Sequence, residues 1–430
     1  MGIRTTLSII LLLLNAVPLY AVYRAIQAGV PPKSRRWALL SVSLVVLALN
    51  VPLGVLWVRS LSDYLLYNVS ASTLRAIFQP SLAWYTTALL CTLILVPAYI
   101  IRAAGVAAGR LVLRSRPGLP RPNTVAEGVS RRSFFTTSAG LLVPALYGAS
   151  AYKFGESFDE VEISPELAIP MAHLPRSLEG VTIVHLTDLH VGTYIRREEV
   201  AYWVSLVNGL RPDLVVLTGD LIDRSLEALP DLLAGLKGLR PSLGVVAVLG
   251  NHDLTSDRYS SRGEFVGGET IAQGLRDLGI RTLRNEVAYL RRGEDRLAIL
   301  GLDWMSRPGE RNFYRYKPVE TRRQLARLSA QLPPETPSIL LVHHPDTFSE
   351  VPRFGIGLTL AGHTHGGGQV VFYHRDGHAV GLFSSRFRYV SGLYREHGCS
   401  LYVNRGLGYL AVPVRVNCAP EISRFRLVRA

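Results

Sequence analysis

The sequence is short of two things. Cysteine occurs three times in 430 residues, so no cysteine framework staples the fold. Cys91 lies inside an apolar run, where it serves as a small apolar residue, while Cys399 and Cys418 flank the last strand-like runs and their pairing stays open. Acidic residues are scarce in one region only: residues 1–150 hold 14 Lys and Arg against Asp63 and Glu127, a net of +12. Beyond residue 150 the chain carries 33 basic and 31 acidic side chains, so the overall charge of +14 belongs to the first third. That distribution argues against nucleic acid as a partner, because binding a phosphate backbone depends on clustered Lys and Arg. No repeat of solenoid period is present either.

What is abundant is apolar sequence, 48% of the chain with a mean hydropathy of +0.21. The excess is concentrated in four runs, 5–23, 37–58, 81–101 and 134–152. Each is close to the roughly 20 residues that cross a bilayer's hydrocarbon core. They predict an α-helical transmembrane segment over 1–152 with about four spans. The loops after the first and third runs carry four and seven basic residues, whereas the amino terminus has Arg4 and the loop between runs two and three has Arg59 and Arg75 beside Asp63. Positive loops stay in the cytoplasm. The expected protein is therefore a multi-pass protein of the cell membrane, with its amino terminus and everything beyond residue 152 on the outer face. "SRRSFF", Ser130 to Phe135, just before the fourth run, is similar to a twin-arginine export signal, and equally reads as a pair of positive anchors at a helix end.

From 158 to 430 the texture changes. "VTIVHLTDLH", "DLVVLTGD", "GVVAVLGNHD", "SILLVHH" and "GLTLAGHTH" share one form, a buried-strand run followed by a polar tip. Helix-like stretches such as "REEVAYWVSLVNGL" and "VETRRQLARLSAQL" lie between several of them. Continuous apolar strands alternating with helices predict an α/β domain whose sheets are covered on their outer faces. The tips offer Asp188 and His190, Asp220 and Asp223, Asn251, His252 and Asp253, His343 and His344, and His363 and His365. One such tip is ordinary capping, but five in succession are not. Carboxylate, amide and imidazole donors converging at strand ends are what a pair of divalent cations needs.

The ordered series "DLH", "GDLID", "GNHD", "HH" and "GHTH" resembles the five-motif signature of the calcineurin-like metallophosphoesterases. "LYVNRGLG" and "PVRVNCAPEISRFRL" resemble more narrowly the bacterial YkuE/YaeI-like branch related to UDP-diacylglucosamine pyrophosphohydrolases. The resemblance implies a four-layer αββα sandwich. It also implies that Asp188, His190 and His365 bind one metal, Asn251, His343 and His363 a second, and Asp220 both. Mn, Fe and Zn all tolerate that donor set. His363 and His365, one residue apart, are expected on an extended segment that turns both to one side, and the glycines after them allow a close turn. Relatives usually have two glycines before the glutamine; here three precede Gln369.

Two cations about 3.5–4 Å apart can lower the pKa of a shared water and set it in line with phosphorus. The resemblance thus implies a membrane-anchored hydrolase that attacks phosphodiester, phosphomonoester or pyrophosphate bonds through a metal-bridging hydroxide. Membrane attachment points to a phosphorylated small-molecule or lipid-linked substrate from the envelope. His252, directly after a ligand, is expected to face substrate as a charged imidazole, with Asp223 holding that charge. Arg224 is expected to grip phosphate through its two-pronged guanidinium, and His344 to line the cleft. Asp253 reads as a supporting carboxylate or a cap. The rival reading is a membrane sensor or scaffold whose head binds metal without turnover; His252 argues against it, since a purely structural site has no use for such an imidazole.

Overall fold

The computed structural model describes residues 13–55, 71–115, 131–156 and 161–430, apart from 193, 224, 256–266, 307–314 and 411–414. The chain forms two compact units, Met1–Glu156 and Ser157–Ala430.

The first unit is helical: α1 (Ala16–Gly29), α2 (Pro32–Val55), α3 (Ala71–Ser115) and α4 (Arg131–Glu156). Among the described residues two stretches, Pro32–Pro52 and Gln79–Ala108, are long and apolar enough to cross a membrane. The second of these extends beyond the expected 81–101 because α3 continues past Arg102 through the Ala-rich stretch that follows. The first and fourth runs also lie on helices, although residues 5–12 of the first fall outside the described part. Polar side chains join the helices. Asn50 Nδ2 donates to Asn15 Oδ1 at 3.4 Å, and the Tyr85 hydroxyl donates to Asn50 Oδ1 at 2.6 Å. Such bonds hold helices together where lipid offers no alternative partner.

The second unit begins with β1 (Glu162–Ile163), β2 (Leu167–Met171) and β3 (Thr182–Leu186), then α5 (Arg197–Gly209), β4 (Leu214–Thr218), α6 (Leu229–Leu236), β5 (Val245–Val248) and α7 (Asn251–Thr255). It continues through α8 (Gly267–Asp277), β6 (Arg281–Thr282), β7 (Glu286–Arg292), β8 (Asp295–Leu302), α9 (Pro318–Ser329), β9 (Ser338–Val342) and β10 (Leu358–Ala361). The last strands are β11 (Val371–Arg375), β12 (His378–Gly381), β13 (Gly392–Glu396), β14 (Cys399–Val403) and β15 (Glu421–Arg429). One sheet runs β1-β15-β3-β4-β5-β6, with β2 also on β15; the other runs β13-β14-β10-β9-β8-β7. β3 through β6 are parallel, as are β8, β9, β10 and β14.

The two sheets face each other across Ile183, Val216 and Val248 on one side and Ile299, Leu341 and Leu360 on the other. The period-2 alternation of a strand sends the intervening residues outward. On β9, Leu340 and Val342 pack instead with Leu325 and Leu328 of α9. On β4, Val215 and Leu217 are fully buried, on the side where right-handed crossovers place α5, α6 and α8. Both faces of each central strand are therefore apolar, which is why these strands read as continuous hydrophobic runs. All three cysteines are buried free thiols, so Cys399 and Cys418 are not paired; they belong to separate apolar clusters.

Candidate metal centre

The carboxyl ends of β3, β4, β5, β9 and β10 meet at one rim. The backbone there reverses sharply: Asp188, His190, Asp220, His363 and His365 have φ of 51°, 46°, 51°, 72° and 47°. A non-glycine residue in this left-handed region costs on the order of 1 kcal/mol or more. Here the turn aims short polar side chains back across the rim. This corrects the expectation of an extended backbone at His363–His365. The two histidines diverge from a left-handed turn, and each joins a different cluster.

Close backbone approach makes the clusters compact. A Cβ at Gly250 would lie 2.2 Å from Asp220 Oδ1, and one at Gly362 would lie 2.3 Å from Asp188 Oδ2. After His365 the three glycines all take positive φ, and Gln369 follows at 65°. The extra glycine is absorbed in that turn, and the buried Gln369 amide brackets the Leu410 backbone, with Nε2 donating to Leu410 O at 3.3 Å.

In the first cluster His365 Nε2 lies 3.3 Å from Asp188 Oδ1 and 3.1 Å from His190 Nε2. In the second, His343 Nε2 lies 3.0 Å from Asp220 Oδ2 and 3.2 Å from His363 Nδ1. Asp220 Oδ2 is also 3.7 Å from His190 Nε2, so this carboxylate stands between the two. The donor atoms within each cluster lie within 4.8 Å of one another, and the trio His190, Asp220 and His252 meets the same limit. Among the described residues the buried oxygens Asp188 Oδ1 and Asn251 Oδ1 make no hydrogen bond. His343 Nδ1 lies 2.7 Å from Thr218 O. Donating its proton to that carbonyl leaves Nε2 as a lone-pair donor to a cation. Unbonded buried oxygens and imidazole nitrogens crowded at 3.1–3.2 Å are a donor set that suits divalent cations.

The electrostatics follow from this crowding. Burial raises Asp188, Asp220 and Asp223, but the surrounding imidazoles outweigh it and hold all three below the ordinary carboxylate range. Burial lowers His343 and His252, yet the carboxylates, Asp220 foremost, push both up to about 9. His344 goes the other way: burial, reinforced by His343, lowers it to about 3. Burial likewise brings His365 down to about 4 and His363 well below its usual value. Asp253 rises to about 6, through burial and then the Asp220 charge.

His252 sits beside both clusters. Its backbone N–H donates to Asp220 Oδ1 at 2.8 Å, and its Nδ1 lies 2.6 Å from Asp223 O and 3.4 Å from Asp223 Oδ1. The Asp223 main-chain carbonyl is thus the nearer partner. Asp253 is fully buried and accepts three backbone N–H groups, from Leu221 at 2.9 Å, Ile222 at 3.1 Å and Gly250 at 2.8 Å. It locks the β4 tip to the β5 tip. Arg224 lies outside the described residues.

Two further residues at the centre had no role assigned from the sequence. Arg415 is buried with Nη2 3.3 Å from His365 Nδ1 and Nη1 donating to Arg405 O at 3.0 Å. Trp304, just past β8, packs its indole 4.9 Å from the His363 ring and 5.3 Å from His344. Arg415 lies in the stretch "PVRVNCAPEISRFRL", and the trace of Trp304 in sequence is "GLDW", a strand run ending in a polar–aromatic pair.

Two facing sheets that converge aspartates, histidines and an asparagine on one rim define a metal-dependent hydrolase. Residues 181–367 match the calcineurin-like phosphoesterase family. A transmembrane protein with a metallophosphoesterase domain from Danio rerio is 30% identical over 331 residues, covering 75% of this chain and 68% of that protein. The metallophosphoesterase YkuE of Bacillus subtilis is 29% identical over 307 residues, covering 70% and 98%. Among solved structures, a dimetal phosphatase from Danio rerio aligns at 16% identity over 53% of this chain and 88% of that one, with a TM-score of 0.34. The chain belongs to the calcineurin-like phosphoesterase family and is a metal-dependent phosphoesterase.

Proposed function

We propose a membrane-anchored dinuclear phosphoesterase that hydrolyses phosphomonoester, phosphodiester or pyrophosphate bonds of envelope-derived or lipid-linked substrates. Asp188, His190 and His365 would hold one divalent ion and Asn251, His343 and His363 a second, with Asp220 available to both. The observation that carries this reading is the pair of clusters on either side of Asp220, with buried oxygens of Asp188 and Asn251 left unbonded. Bound there, Mn, Fe or Zn ions would supply Lewis-acid polarisation and an acidified water.

The chain's own residues do the rest. With Nδ1 of His252 committed to Asp223, the ring's remaining proton is on Nε2, where it stabilises charge on a leaving oxygen. Asp220 dominates the charge that keeps His252 protonated. Asp223, which also raises His252, would keep that role with cations bound at Asp220. Trp304 and Phe387, 4.9 Å and 5.5 Å from the His363 ring, pack against that imidazole and help to orient it. Arg224, by its charge and its place directly after Asp223, is assigned to the phosphate oxygens, and His344 to the cleft wall.

The four apolar runs are assigned as spans, with the catalytic unit on the outer face. Two helices of sufficient length and apolarity support the anchoring, and the basic loops support the orientation. The test uses full-length protein in detergent, with p-nitrophenyl phosphate, bis(p-nitrophenyl) phosphate and a pyrophosphate diester as substrates. Turnover should appear with Mn, Fe or Zn and vanish with chelator. Two ions bound per chain with no turnover of any of the three would sink the hydrolase and leave the metal-binding scaffold.

A further inference from the structure

Six large apolar side chains stand exposed among the described residues of the second unit, and three of them, Phe372, Tyr373 and Leu382 at 61%, 56% and 54%, belong to one hairpin. β11 and β12 form a two-stranded antiparallel sheet of their own, outside both main sheets. The hairpin is seated from below: Val371 and Ala379 are buried with Val390 and Cys418, and Phe387 packs against that cluster. Isolated exposed apolar residues are ordinary, whereas a group of them marks a contact surface.

Positive charge collects in the same place. Residues 371–391 carry Arg375, Arg386 and Arg388 against Asp376, while the rest of the chain beyond residue 150 is balanced, 30 basic against 30 acidic. Arg375 reaches Asp376 and Arg388 reaches Glu396, each at 3.7 Å, with the arginine side chains 78% and 61% exposed. Solvent-exposed pairs of this kind hold weakly, so both guanidinia can take another anion. Aromatic and leucine side chains interleaved with arginine suit a membrane interface, where rings and aliphatic groups enter the boundary of headgroups and acyl chains and guanidinia meet lipid phosphates. A protein interface can share that composition. The bilayer, however, is the partner that the chain's own apolar helices bring within reach, at an effective concentration that requires no strong affinity.

The hairpin is also tied to the metal rim. The Phe383 backbone N–H donates to Gly367 O, two residues past His365, at 2.8 Å. The Phe387 ring is 5.5 Å from His363 and 6.0 Å from His344.

We propose that the β11–β12 hairpin is an interfacial docking element: Phe372, Tyr373 and Leu382 enter the bilayer surface, Arg375, Arg386 and Arg388 take anionic lipid headgroups, and the metal rim is thereby held at the membrane surface. The inference rests on the membrane anchoring assigned above and adds the partner that this face of the catalytic unit meets.

The test is spin labelling of full-length protein in vesicles of phosphatidylcholine and phosphatidylglycerol. The three native cysteines are buried, so Phe372→Cys and Leu382→Cys can be labelled selectively, with Tyr202→Cys, at a position 51% exposed on α5, as the comparison. Power saturation should show the labels at 372 and 382 meeting oxygen more readily than a water-soluble nickel chelate, and the label at 202 the reverse. Arg386→Gln and Arg388→Gln should each lower the ratio of inserted to free hairpin about fivefold, the worth of one basic side chain at an anionic surface. Labels at 372 and 382 as open to the chelate as the one at 202 overturn the docking element. Shielding from both reagents also overturns it and places protein on the hairpin, a second copy where the spectra broaden between chains. Flotation with the vesicles separates the two ideas. Protein that floats with an aqueous hairpin loses only the docking element; protein that does not float loses the anchoring as well.

Discussion

His252, half-buried, and His185, fully buried, are imidazoles whose neighbours give them opposite fates. His252 lies among carboxylates and holds its proton up to about 9. His252→Ala should keep both metals, measured by plasma mass spectrometry, and lose about 10²–10⁴-fold in turnover; loss of metal in that variant would show that the ring is a ligand. His185, on β3 with Nε2 2.7 Å from Thr218 Oγ1, is lowered to about 4 by burial. Its folded pKa lies below the unfolded value of about 6.5, so its contribution is fully present above that value. It is lost as pH falls towards 4, because the unfolded chain takes up a proton that the folded chain refuses. The loss approaches about 3 kcal/mol. In urea unfolding of chelated protein, His185→Gln should flatten this acid limb, and an unchanged slope would refute the assignment. The charge on His252 was expected from the sequence, but the fate of His185 was not: it is an unremarkable polar residue inside an apolar run, and only the fold shows that, among the described residues, it bonds to a threonine hydroxyl and to no carboxylate.

Asp253 shows how one element fixes another. Its carboxylate takes three backbone N–H groups from the β4 and β5 tips, which position Asp220 and Asn251. Asp253→Ala strands those donors in the interior and should cost about 3–5 kcal/mol, with metal affinity lowered about 10–100-fold. Isothermal titration with Mn would detect the second effect; unaltered affinity would mean that the rim holds its shape without the tie. The elements themselves were largely readable. "REEVAYWVSLVNGL" and "VETRRQLARLSAQL" are α5 and α9, and the strand runs are β3, β4, β5, β9 and β10. The backbone at the tips was not readable. An His-x-His spacing on an extended strand would put both rings on one side, yet the left-handed turn sends each to its own cluster. Trp304 was missed for a similar reason, since it reaches the centre from a segment far away in sequence and a single tryptophan carries no spacing signal. Arg415 lies in the stretch "PVRVNCAPEISRFRL" that carries the narrower resemblance, but nothing in that stretch shows that its guanidinium meets His365.

For the whole molecule, the uneven charge and the apolar runs make a prediction about sidedness. With a tag after Ala430, protease added to intact spheroplasts should digest the catalytic unit if the outer-face assignment is right. Protection until lysis would reverse it and make cytoplasmic lipid precursors the leading substrates.

The sequence by itself determined the class of chemistry, because the donor residues recur at strand tips in one order, and it determined the apolar character of the first third, because hydropathy is local. Tertiary structure decided which donor joins which cluster, which oxygens stay unbonded, and where a hairpin with exposed apolar side chains stands beside them. These depend on distances between residues up to 175 positions apart, as at His190 and His365. The packing of two sheets sets such distances, and no local pattern encodes them.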